Sequence, residues 1–160
     1  MTDLLKGEQI DLVISSPYKR AIQTVQGVAK QFDLPIQIEE DLRERLLSKE
    51  SVIDFEEAII KVWENPTFSF EDGESNYIAQ QRGVICIKNI LKQYEGKNIV
   101  IGTHGNIMVL IMNYFDSKYN FHFWKGLEMP DMYKLTFKKE QLTSAVRIAA
   151  ERMTNRSSGE

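Results

Sequence analysis

At 160 residues the chain is long enough for one domain with a buried core. Its 20 Lys and Arg against 23 Asp and Glu leave a net charge of -3, which excludes a broad footprint on a nucleic-acid backbone but not a local anion pocket. The single cysteine, Cys86, excludes an internal disulfide and is expected to be an inert core residue; His104 and His122, the two histidines, supply too few ligands for a four-ligand zinc site. With no signal peptide and no apolar run of about 18 residues, the expectation is a soluble, cytoplasmic protein with neither nucleic acid nor membrane as a partner.

Met1–Gln9 reads as the end of a helix, with Leu4 and Leu5 on its apolar side. Ile10–Ile14 is short, apolar and β-branched, which suits a strand buried on both faces of a parallel sheet. Ser16 can cap a helix whose first residue is Pro17, and Ala21, Val25, Val28 and Phe32 then recur at helical spacing. Leu34–Ile38 forms a second strand. Leu42–Asn65 is expected to be mostly helical, with Val52, Phe55, Ile59 and Trp63 as one apolar stripe, and Pro66–Gly73 is a loop carrying Phe68 and Phe70. A long helix follows from Ser75 to Tyr94, with Ile78, Ile85, Leu91 and Tyr94 inward and Gly96 as its stop. Asn98–Gly102 is another buried strand, Thr103–Asn106 a turn and Ile107–Phe115 a helix. Tyr133, Leu135 and Phe137 alternate as a late strand. Residues 1–155 make one domain, and the small polar residues 156–160 are expected to be disordered. Strands alternating with helices indicate an α/β fold, in which reactive groups gather at the carboxyl ends of the strands.

Two strand-to-helix junctions carry unusual chemistry at that end. In Ser15-Ser16-Pro17-Tyr18-Lys19-Arg20 a cation lies in the first helical turn, where it opposes the helix dipole by about 0.3–1 kcal/mol. That placement makes sense if an anion sits between Arg20 and the helix N-terminus, and an arginine fork can donate two hydrogen bonds to phosphate; a solvated surface arginine is the alternative. In Gly102-Thr103-His104-Gly105-Asn106 a histidine ends an apolar strand between glycines. It can donate to a phosphoryl oxygen or move a proton, or it is a satisfied structural histidine. His122, among Phe121, Phe123 and Trp124, reads as packing or surface. Glu44 between Arg43 and Arg45 is locally silent: a general acid or a plain surface charge. Ser75 and Arg82 share a helix face and read equally well as solvated.

Taken in order, these pieces are specific. Ser15-Ser16-Pro17-Tyr18-Lys19-Arg20-Ala21-Ile22-Gln23-Thr24 resembles the S-S-P-x-x-R-A-x-Q-T motif of the histidine phosphatase (phosphoglycerate mutase-like) superfamily. Leu42-Arg43-Glu44 is similar to its L-x-E segment, Gly73-Glu74-Ser75 with Arg82 to its G-E-S-x(6)-R stretch, and Thr103-His104-Gly105-Asn106 to its second-histidine motif. The resemblance, over roughly residues 1–137, implies a three-layer α/β fold with a mostly parallel sheet. It implies phosphomonoester hydrolysis through a phosphohistidine, with a small phosphorylated substrate or inorganic phosphate as ligand and neither metal nor cofactor. By position, Arg20 would clamp the phosphoryl group, His104 would stabilise its equatorial oxygens, Glu44 would protonate the leaving oxygen, and the backbone at Gly105 and Asn106 would help hold the anion.

One departure is large. The superfamily's nucleophile is the histidine of an R-H-G motif ending its first strand, and no R-H-G occurs in this sequence. The expectation is a sheet without its first strand, an inactive chain, and self-association through an exposed sheet edge. A non-catalytic module that binds a phosphorylated ligand or a protein partner is the alternative. A P-loop and a G-x-S-x-G elbow are both absent.

Overall fold

The structure, a computed structural model, describes residues 2–128 and 130–148. The expected domain end at 155 and the polar tail at 156–160 lie outside the described residues. In chain order the elements are β1 (Leu12–Ser15), α1 (Lys19–Gln31), β2 (Ile36–Ile38), α2 (Phe55–Glu64), α3 (Asn76–Gln93), β3 (Ile99–Gly102), α4 (Gly105–Phe115), α5 (Phe121–Lys125), β4 (Tyr133–Lys138) and β5 (Gln141–Arg147). Short 3-10 turns occupy Thr2–Leu5 and Glu40–Leu42. No described helix is long and apolar enough to cross a membrane.

β1 is the centre of a parallel three-stranded sheet in the order β2-β1-β3. Successive residues of a strand face opposite sides, and Val13 and Ile14 are 0% and 1% exposed. Val13 joins Val25 and Val28 of α1 in one core; Ile14 joins Val84, Ile90, Ile107 and Leu110 of α3 and α4 in the other. The result is the expected three-layer α/β arrangement, with β1 buried on both faces. Beside it β4 and β5 form a separate antiparallel hairpin packed on α4 and the segment after it, where Tyr133, Leu135 and Leu142 meet Val109, Met112 and Tyr119.

β3 departs from the expected buried strand: Ile99, Val100 and Ile101 are only half-buried. The carbonyls of Asn98 and Gly102 accept from the β1 side, from Asp11 at 2.8 Å and Ser16 at 2.9 Å. Ile99 and Ile101 therefore turn their main-chain groups the other way, toward an edge that no described strand pairs.

Other expectations need correction. The first residues form a 3-10 turn rather than a helix end. Residues 43–53 are not helical: Asp54 caps α2 by accepting from the Glu57 amide, so the helix begins there. The preceding backbone is engaged by other elements, with Arg82 donating to the Arg43 carbonyl and the Glu74 amide to that of Leu46. Of the proposed stripe, Ile59 is buried but Phe55 is 60% exposed. On α3 the inward face is Ala79, Gly83, Val84, Cys86 and Ile90, while Ile78 and Ile85 face outward. The cause is close packing of α3 on α4: a Cβ at Gly83 would lie 2.7 Å from Ile111 Cγ1, so small residues take the interface. Cys86 is buried, as expected, and burial pushes its thiol up to about 12.

Candidate active site

The sheet register builds the site. Ser15 pairs with Gly102, so β1 and β3 end level and release their chains side by side. Gly102 is required here, because a Cβ would lie 2.8 Å from Val25 Cγ1 and 2.9 Å from the Ala21 carbonyl oxygen. Its absence lets α1 settle against the end of β3, which brings the start of α1 beside the start of α4.

At the first junction Ser16 does not cap the helix as the sequence suggested. Tyr18 is extended and occupies the N-cap position without a side-chain cap, and α1 begins at Lys19. Ser16 is fully buried and its Oγ lies 2.7 Å from Nε2 of His104, while accepting from the Tyr18 amide at 3.3 Å. Arg20 lies in the first turn of α1, as expected, is exposed, and has no ion-pair or hydrogen-bond partner for its guanidinium among the described residues.

At the second junction His104 is the N-cap residue of α4, 6% exposed, with the Tyr18 ring 5.2 Å away. Burial holds its imidazole below the ordinary value of 6.5; Glu44 opposes that shift and Arg20 adds to it. The orphan amides of α4 are met from a distance. Glu44 Oε2 accepts from Asn106 N at 3.1 Å and Oε1 from Ile107 N at 2.9 Å, and Oε1 also accepts from Arg45 N at 2.9 Å. A carboxylate at a helix N-terminus complements the dipole. Glu44 is thus brought to the start of α4, beside His104. The Asn106 amide, expected to hold an anion, is taken by that carboxylate.

Arg45, which no motif or spacing singles out, is 5% exposed. It donates to the Asn76 side-chain oxygen, and Asn106, with its amide oxygen turned inward, accepts from it too. Nε has no partner among the described residues, and burial pulls the guanidinium down to about 10 against the pull of Glu44 and Glu74. The local string Arg-Glu-Arg does not tell which arginine folds inward. Arg82 holds the Leu42–Glu44 segment in place: Nε and Nη2 pair with Glu74 at 2.9 and 2.8 Å, and Nη1 donates to the carbonyls of Asp41 and Arg43. Ser75 caps α3 through the Ile78 amide.

Arg20, Glu44, Arg45, His104 and Asn106 meet at a cavity of about 760 Å³. Phe55, Phe121 and Trp124 contribute apolar wall, while β3 lines one side and Met132 and Tyr133 another. Phe68 and Phe70 pack edge to face at 5.1 Å under Lys61, away from the cavity. Phe121 and Trp124 were missed because α5 has too few residues to show a period. His122 is exposed and lies outside the cavity, as read from its context. Among the described residues no group of three or more His, Cys, Asp or Glu could hold a metal ion.

The sequence profile of the histidine phosphatase superfamily (branch 1) matches residues 1–147. The chain belongs to this superfamily. Similar solved structures include a mycobacterial glucosyl-3-phosphoglycerate phosphatase, at 17% identity and TM-score 0.70 over 91% of this chain and 79% of that one. A phosphoserine phosphatase of Entamoeba histolytica, in complex with phosphoserine, gives 20% and 0.73 over 94% and 79%. YhfR of Bacillus stearothermophilus gives 22% and 0.72 over 94% and 77%. No curated protein sequence matches the chain. At these identities the structural likeness bears on the superfamily's fold, which is the one described above.

Proposed function

We propose that this superfamily member is the phosphate-holding part of a phosphomonoester hydrolase, built as a single domain over residues 1–155. The observation that carries the reading is the convergence of Arg20, His104 and Glu44, from three separate segments, on one cavity mouth. Arg20 clamps the phosphoryl group through its unpartnered guanidinium, and His104 stabilises the equatorial oxygens with help from the backbone at Gly105. Asn106 joins them where the anion displaces Glu44 from its amide. The similar structures support a small phosphorylated ligand: one is in complex with inorganic phosphate and another with phosphoserine.

In this reading a histidine nitrogen attacks phosphorus, the ester P–O bond breaks, and Glu44, when protonated, gives its proton to the leaving oxygen. Water then cleaves the P–N bond and releases phosphate. Neither histidine of this chain is suited to attack, since His104 is turned to Ser16 and His122 lies outside the cavity. We place the strand carrying the attacking histidine in the slot between β3 and β4, against the unpaired edge of β3. Left empty, that edge invites self-association.

The test is turnover of an aryl phosphate by this chain and by one extended at its start with a strand ending in Arg-His-Gly, with mass spectrometry for phosphohistidine. The expected result is background turnover in the first and hydrolysis with a trapped intermediate in the second. Robust turnover by residues 1–160 that disappears in His104→Ala would make His104 the nucleophile and overturn the proposal. The tie between His104 and Ser16 favours a second reading, a non-catalytic phosphate-binding module; an extended chain that binds phosphate without turnover would support it.

A further inference from the structure

We infer that Ser16 is a positioning residue for His104: its hydroxyl donates to Nε2 and thereby holds the imidazole as the Nδ1–H tautomer. The argument is an accounting of hydrogens. Ser16 has 0% exposure, so water does not readily complete its hydrogen bonds. Oγ and Nε2 are 2.7 Å apart, joining residues 88 positions apart in the chain. A serine hydroxyl has one hydrogen to give and two lone pairs to receive. One lone pair takes the Tyr18 amide at 3.3 Å. For the hydroxyl hydrogen, His104 Nε2 is the only acceptor that the described residues place in reach.

If Nε2 carried a hydrogen it would donate to Oγ, and the serine O–H would be a buried donor with nothing to meet it. Folded proteins rarely leave such groups unpaired. With Nε2 bare, both atoms of the contact are satisfied, and the ring's one hydrogen is on Nδ1. The neutral ring that this requires agrees with the burial that lowers the basicity of His104. The arrangement follows from the β1–β3 register, which releases Ser16 and His104 from neighbouring strands at the same level.

The consequence for function rests on the phosphate-site reading, whereas the tautomer does not. Nδ1–H becomes the donor that His104 can offer an anion, and its direction is fixed before the anion arrives. Such preorganisation lowers the cost of binding.

The histidine content makes the test clean, because exposed His122 serves as an internal reference for His104. Long-range proton–nitrogen correlation spectra of the labelled, phosphate-free chain at neutral pH report which ring nitrogen is protonated. We expect His104 to show a protonated Nδ1 and a bare Nε2, with His122 showing a tautomer mixture. In Ser16→Ala the His104 pattern should move to the mixture while backbone amides remote from the site keep their shifts. Inorganic phosphate should then bind about three- to tenfold more weakly, the worth of one hydrogen bond. A protonated Nε2 in the wild-type chain would overturn the inference even if the variant failed to fold. So would an unchanged Nδ1–H tautomer in Ser16→Ala. A tautomer change without any phosphate binding, in either chain, would leave the role of Ser16 standing and overturn the phosphate-site reading instead.

Discussion

At the β3–α4 junction His104, Asn106 and Ile107 each have a partner drawn from elsewhere in the chain, respectively Ser16, Arg45 with Glu44, and Glu44 again. At the β1–α1 junction Arg20 has none among the described residues, although it stands at the same cavity. The β3–α4 junction is fixed by the protein's own hydrogen bonds; the β1–α1 junction holds a charge in reserve. An anion can meet Arg20 without breaking a bond, whereas reaching the Asn106 amide requires displacing Glu44. The difference separates residues whose loss should be felt by the fold from those whose loss should be felt by a ligand.

The strongest break of this contrast is Glu44→Ala. It uncaps two amides of α4 and should lower stability by about 1–2 kcal/mol, the range for lost helix caps, read as a fall in the urea midpoint. Glu44→Gln keeps one acceptor and should lose less. A weaker, pH-dependent effect belongs to His104. Its folded form binds a proton less readily than the ordinary 6.5, so on acidification the unfolded chain is protonated first. The stability it contributes is fully present above about 6.5 and is lost as pH falls through its lower folded value. Urea melts at about pH 7.5 and about pH 5.5 should show the loss, and His104→Gln should shrink it. The smallest effect should come from the open junction: Arg20→Ala should leave the urea midpoint where it was, because the exposed guanidinium has nothing to lose. A clear drop there would erase the contrast.

Much of this was legible in the sequence. β1, α1, β3 and α4 follow from short β-branched runs and helical spacing, and the two junctions follow from where the runs end. Local pattern cannot carry the choice between faces when the neighbour dictates it. On α3 the bulky Ile78 and Ile85 look like the core, yet Ala79 and Gly83 take it because α4 comes close. Residues 43–53 are charged enough for a helix, but their backbone is claimed by Arg82 and Glu74, which lie far along the chain. β5 has no legible period of its own: its polar residues alternate with few apolar ones, and only the pairing with β4 defines it. Within the site, Arg20, His104 and Glu44 were found by their motifs, whereas Arg45 and the pairing of Ser16 with His104 depend on contacts that no local spacing encodes.

The central claim is that the two junctions together make one phosphate site. Calorimetric titration of inorganic phosphate into the wild-type chain, Arg20→Ala and His104→Ala tests it most directly. Each removed partner is a hydrogen bond to a charged group, about 1.5–3 kcal/mol, so each variant should bind about ten- to 150-fold more weakly while remaining folded. Phosphate bound equally well by all three chains, or by none of them, would contradict the account.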